Sequence, residues 1–218
     1  RMRSAVTLSI KGRALKYLAA REHSRAELAR KLAERLHAST LLETPETNPF
    51  LSKFYRDQPR YALPTQLTFL LQRAERIAQL VQADLFATQT VADFMLDKEL
   101  LFAELTLTDE ELRLYKSIYS LYGPKVPRPD MVIYLQAPVQ QLQQRLQQRA
   151  NNYEQDISEQ YLKQLCDSYS RFFHQYDASP LLIVNSANLN FVDSAEDFEL
   201  LLHCIRQMRG GREFFNRG

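Results

Sequence analysis

Apolar runs closed by a single polar residue recur along the chain. Leu41-Leu42 ends at Glu43, Thr90-Val91-Ala92 at Asp93, Met131-Val132-Ile133-Tyr134-Leu135 at Gln136, and Leu181-Leu182-Ile183-Val184 at Asn185. Continuous runs of this kind suit strands of a parallel sheet covered on both faces. Their closing residues then stand at the carboxyl edge, where α/β proteins bind ligands. Helical period fills the intervals. The stretch from Pro64 to Leu80 carries Leu67, Leu70, Leu71, Ala74, Ile77 and Ala78 as one stripe, and Pro138 opens another through Val139, Leu142 and Leu146. Ser24 with Glu27 and Thr108 with Glu111 fit capping boxes. The pattern predicts a long helical insertion from about 95 to 122, a loop over Gly123 to Asp130, and a helix rather than disorder through the glutamine-rich Gln140 to Gln148. The order of elements reads as an α/β fold, a parallel sheet flanked by helices, after a helical amino-terminal segment.

Composition narrows the function classes. With 28 basic and 26 acidic residues among 218, the formal charge of +2 gives no argument for nucleic acid or an anionic membrane as partner. No apolar run approaches the roughly 20 residues of a membrane helix, and the amino terminus lacks a secretory pattern. Cys166 and Cys204 stand far apart without metal spacing, and His23, His37, His174 and His203 form no motif. The expectation is a cytoplasmic protein with reduced thiols. Glycine is scarce: the five are Gly12, Gly123, Gly210, Gly211 and Gly218. Residues 13 to 122 contain none, which argues against a glycine-rich phosphate cradle in the first half.

Longer stretches of text carry a resemblance. LLETPETNPFLSKFYRDQPRYALPTQLTFLLQRAERI, TVADFMLDKELLFAELTLTDEELRLY, RPDMVIYLQAPVQQLQQRLQQRANNYEQDIS, YDASPLLIVN and RGGREFF resemble the bacterial deoxynucleoside kinases, the deoxyguanosine and deoxyadenosine kinase group of the P-loop fold. With the helix text from Leu28, the resemblance runs over about 28–218. It implies a P-loop-kinase-like sheet, phosphoryl transfer from ATP with Mg²⁺ to the 5'-hydroxyl of a purine deoxynucleoside, and a homodimer. Glu43 matches the carboxylate that takes the hydroxyl proton, sensible chemistry where catalysis is mostly positioning. Gln66 and Arg73 match side chains around the nucleobase and sugar; seven residues apart, they share a helix face. Phe69, Phe94 and Phe102 are candidate stacking walls, although aromatics at helical spacing also build cores. Asp93 matches an acidic position suited to Mg²⁺ or its water shell, or caps the helix that follows. Relatives keep an arginine next to it, where this chain has Phe94. Arg145 and Arg149 resemble a lid over the triphosphate, and Glu154 the carboxylate that holds the sugar 3'-hydroxyl.

The donor side departs from this pattern. The helix text LARKLAERL, Leu28 to Leu36, sets a register in which GxxxxGK[ST] belongs at positions 19 to 26. Ala19 and Ser24 occupy the glycine positions, Arg25 the lysine and Ala26 the hydroxyl, and Glu22 adds a negative charge. Arg25 is left as a weak phosphate contact without an amide nest. Residues about 13–32, RALKYLAAREHSRAELARKL, resemble instead the opening helices of RecX-type regulators of recombinase. The expected organisation is a RecX-like helical segment over 1–38 joined to a kinase body over 39–218, with ATP binding impaired or lost. Two alternatives stay open: a non-enzymatic nucleoside-binding protein, and a RecX-like regulatory fusion.

Overall fold

The computed structural model describes residues 25–83, 89–122, 127–149 and 157–217. Helix α1 (Arg25–Leu36) turns Leu28, Ala29, Leu32 and Ala33 into the interior, two adjacent pairs one turn apart. It ends in a left-handed residue, His37 at φ 53°, and the Ala38 amide reaches back to the Ala33 carbonyl at 2.8 Å. This closure aims the chain into β1 (Ser39–Leu41). A 3-10 turn over Pro45–Thr47, α2 (Leu51–Arg56) and the long α3 (Gln58–Ala83) then cross over to β2 (Thr90–Ala92). Helices α4 (Lys98–Thr106) and α5 (Asp109–Tyr119) lead to β3 (Val132–Gln136), and α6 (Val139–Arg149) and α7 (Glu159–Gln175) to β4 (Leu181–Asn185). Helix α8 (Ala195–Gln207) and β5 (Arg212–Phe215) complete the order.

All strand pairs among the described residues are parallel, as the run pattern predicts. They form two hydrogen-bonded groups rather than one sheet: β1 with β2, and β3-β4-β5. Strand β4 is covered on both faces. Its Leu182 and Val184 pack with Leu28 and Leu32 of α1 and Phe198, Leu201 and Leu202 of α8, whereas Leu181 and Ile183 pack with Phe173 and Tyr176 at the end of α7. Val91 of β2 and Ile133 and Leu135 of β3 lean on the same α1 and α8 cluster, so one apolar layer joins the two strand groups. Helix α1, though inside the segment 1–38, is thus part of the body's core.

The structure refines three parts of this reading. The stretch 95–122 is two helices, because Thr108 accepts from the Glu111 amide and Glu111 answers to the Thr108 amide, the predicted capping box, which begins α5. Helix α3 starts six residues before Pro64; Pro59 is tolerated in its first turn, while Pro64 inside it removes one amide donor. Strand β5 was not foreseen, since REFF is half exposed and enters through Gly210 and Gly211, both at positive φ. Ser24, Glu154, residues 13–24 and Gly123 to Val126 lie outside the described residues.

Candidate active site

The parallel register of β1 and β2 pairs Leu41 with Ala92, so the residues beyond the two carboxyl ends meet. The Asp93 amide donates to the Leu41 carbonyl at 3.2 Å, and the Glu43 amide donates to Asp93 Oδ1 at 2.8 Å. Two strand-closing acids read from sequence are therefore in direct contact.

Helix α3 supplies the cations. Its buried residues are Ala62, Thr65, Gln66, Leu70, Arg73 and Ile77, placing three polar residues among apolar ones. Arg73 Nε donates to Glu43 Oε1 at 2.6 Å, Nη2 donates to the same oxygen, and Nη1 donates to Glu99 Oε1. The guanidinium carbon lies 4.9 Å from the Phe69 ring centre and 5.9 Å from that of Phe94. Arg25 Nη2 donates to Glu43 Oε2 at 3.4 Å, and its own side chain stays half exposed. One turn beyond Arg73, Arg76 donates to the Leu42 carbonyl and to the Thr44 hydroxyl and so secures the backbone around Glu43. Burial raises the Glu43 carboxyl, but the charges of Arg73, Arg25 and Lys98 outweigh it and hold the group below its usual range.

Glu99 and Lys98 open α4, and sequence reasoning passed over both. Glu99 is fully buried and also accepts from the Tyr115 hydroxyl at 3.3 Å. The available signal was the apolar stripe of α3: a charged residue inside it requires a buried countercharge, and Glu99 shares a helix face with buried Ala103. Lys98 is buried as well, its ammonium 5.8 Å from the centre of the Tyr169 ring. Burial pushes Lys98 down to about 7, with Arg25 next in effect, against the opposing pull of Glu43 and Asp93.

The remaining predicted residues spread around this centre. Gln66 is buried and donates to Thr106 Oγ1 at 3.4 Å. It does not line the small cavity of about 10 Å³ bounded by Glu43, Thr44, Phe69, Gln72, Arg73 and Arg76. Phe102 packs edge-on against Tyr169, with ring centres 5.9 Å apart. Arg145 Nη2 donates to the Ser186 carbonyl at 2.8 Å, tying α6 to the segment after β4. Arg149 is the last residue of α6, and its side chain lies outside the described part. Among the described residues no cluster of three metal-ligating side chains occurs, and no helix is long and apolar enough to cross a membrane.

This arrangement can hold a hydroxyl at a buried carboxylate and balance charge around it. Known proteins with the same fold and text are consistent with that chemistry. The chain is 30% identical over 186 residues to deoxyguanosine kinase of Bacillus subtilis, covering 83% of this chain and 90% of that protein. The fold matches that of deoxyadenosine kinase from M. mycoides, solved with the products dCMP and a flexible dCDP, at a TM-score of 0.71 and 22% identity, over 84% of this chain and 93% of that one. A partial similarity, 43% identity over 95 residues, is to the regulatory protein RecX of Leptothrix cholodnii, covering 41% of this chain and 55% of that protein. The deoxynucleoside kinase family profile matches residues 25–208. The chain belongs to the deoxynucleoside kinase family.

Proposed function

We propose that this chain is a deoxynucleoside kinase with a working acceptor side and an impaired donor side. Its reaction is phosphoryl transfer from ATP to the 5'-hydroxyl of a purine deoxynucleoside. The observation that carries the reading is the placement of Glu43 at a strand end, its amide on Asp93 and its carboxylate on Arg73, within a chain that matches the family from 25 to 208. Glu43 accepts the hydroxyl proton. Its depressed pKa suits a loose transition state, in which orientation of the nucleophile matters more than early proton removal. Arg73 positions Glu43 and, with Gln66 and Glu154, the nucleoside. Asp93 fits a Mg²⁺ that takes its other ligands from phosphate and water, because the Glu43 amide engages only one of its oxygens. Arg145 and Arg149, both on α6, are assigned to the phosphates, and the working unit is a cytoplasmic homodimer.

The phosphate donor fits less well. Positions 19 to 26 carry neither glycine nor the Lys-Ser/Thr pair, and Arg25, at the lysine position, is engaged with Glu43. Calorimetry of the full chain with deoxyadenosine, deoxyguanosine and ATP tests the reading. Nucleoside binding with weak or no ATP binding supports it, tight ATP binding with turnover removes the impairment, and absence of nucleoside binding refutes it. The partial similarity to RecX favours a second reading, a RecX-like regulatory fusion. That reading predicts that the full chain slows ATP hydrolysis by a recombinase filament.

A further inference from the structure

Lys98 is difficult to explain as a stabilising residue. It is only 7% exposed, and it is the first residue of α4, where the positive end of the helix dipole disfavours a cation. Its neighbours Arg25 and Arg73 are already paired with carboxylates, Arg25 with Glu43 and Arg73 with Glu43 and Glu99. Among the described residues the Lys98 ammonium makes no hydrogen bond; its contact is the face of Tyr169. Its charge nevertheless reaches Glu43 and Asp93, the two acids at the strand ends. A cation buried at that cost beside the proposed 5'-hydroxyl site, with its hydrogen-bonding capacity unspent, has the properties of a receptor for an anion that arrives with a ligand.

The chain also lacks an arginine after Asp93, where Phe94 is buried in the α3, α4 and α5 core. Lys98 lies four residues further along, at the start of α4 and next to Glu99, which shares Arg73 with Glu43. Resting on the kinase reading above, we propose that Lys98 binds the 5'-phosphate of the deoxynucleoside monophosphate, so that the site distinguishes nucleotide from nucleoside through this one side chain.

The test is calorimetry of the full chain, wild type against Lys98→Met and Lys98→Arg, with deoxyguanosine and deoxyadenosine and with their 5'-monophosphates as probes. A charge-assisted hydrogen bond of ordinary strength corresponds to a loss of about 10- to 100-fold in monophosphate affinity. Lys98→Met is expected to show that loss while nucleoside affinity stays within about twofold, and Lys98→Arg to recover much of it. Equal weakening of nucleoside and monophosphate would reduce Lys98 to a structural role and overturn the proposal, as would no weakening of either. If the wild type binds neither probe, the kinase reading itself fails and the proposal with it. Lys98→Met relieves a buried charge, so its melting temperature is expected to match or exceed the wild type; a variant that does not fold contradicts the premise that the ammonium is held at a cost.

Discussion

Glu99→Ala isolates the buried charge network from the rest of the fold. The substitution leaves the Arg73 guanidinium with Glu43 alone, and it strands the hydroxyl of Tyr115, a ring with no exposed surface. Removing one partner of a buried ion pair costs about 3 to 5 kcal/mol. Because Glu43 still accepts from Arg73, the lower end, about 3 kcal/mol, applies here. At about 2 to 4 °C per kcal/mol for a chain of this size, the melting temperature falls by about 6 to 12 °C. Arg73→Met does more damage, since it leaves Glu43 and Glu99 without the cation between them. The double variant Arg73→Met with Glu99→Leu replaces the pair by apolar groups of similar size and is expected to lie closer to the wild type than either single variant, while Glu43 retains Arg25. Urea denaturation with an unchanged m-value is the assay. A double variant destabilised by the full sum of the two singles, or a Glu99→Ala shift under about 2 °C, refutes the account of Arg73 as a doubly held buried cation.

Other consequences are smaller and independent. His37→Gly removes the left-handed strain at the end of α1 and should raise stability by about 0.5 to 1 kcal/mol; no gain in melting temperature would contradict the reading of that turn. Thr108→Ala breaks the capping box of α5 and should cost about 1 kcal/mol, an effect that Thr108→Ser should largely spare. Glu43 has a folded pKa below its ordinary value of 4.5, so its contribution is complete above that value and is lost as pH falls through the depressed one. Arg73→Met should therefore flatten the acid limb of the stability profile below about pH 4.5, and an unchanged slope there would show that the pair does not set it.

What the sequence disclosed, and what it withheld, follows from the range of the interactions involved. Strand runs and capping boxes are local patterns, so β2 was readable residue for residue and the start of α5 from Thr108 and Glu111. Strand-end position marked Glu43 and Asp93 together with Gln136 and Asn185, and the family text singled out the first two, but the bond between them depends on parallel register across 50 residues, which no local pattern encodes. Arg73 was found through its text, whereas its second partner, Glu99, required knowing that α4 packs on α3. Lys98 was hidden for the same reason: in sequence it is one charge in DKE, and only burial makes it unusual. The same distinction bears on the donor side. Arg25 occupies the lysine position of an absent phosphate motif, yet its guanidinium reaches Glu43, the proposed base. A cation committed there lowers the base's pKa while an ATP phosphate that arrived would compete for it, so restoring glycines and a lysine at 19 to 26 should do two things. It should create a donor site, and it should raise the Glu43 pKa toward its ordinary value, measurable as a flatter acid limb of stability. A restored loop that binds ATP without that shift would show that Arg25 does not tune the base.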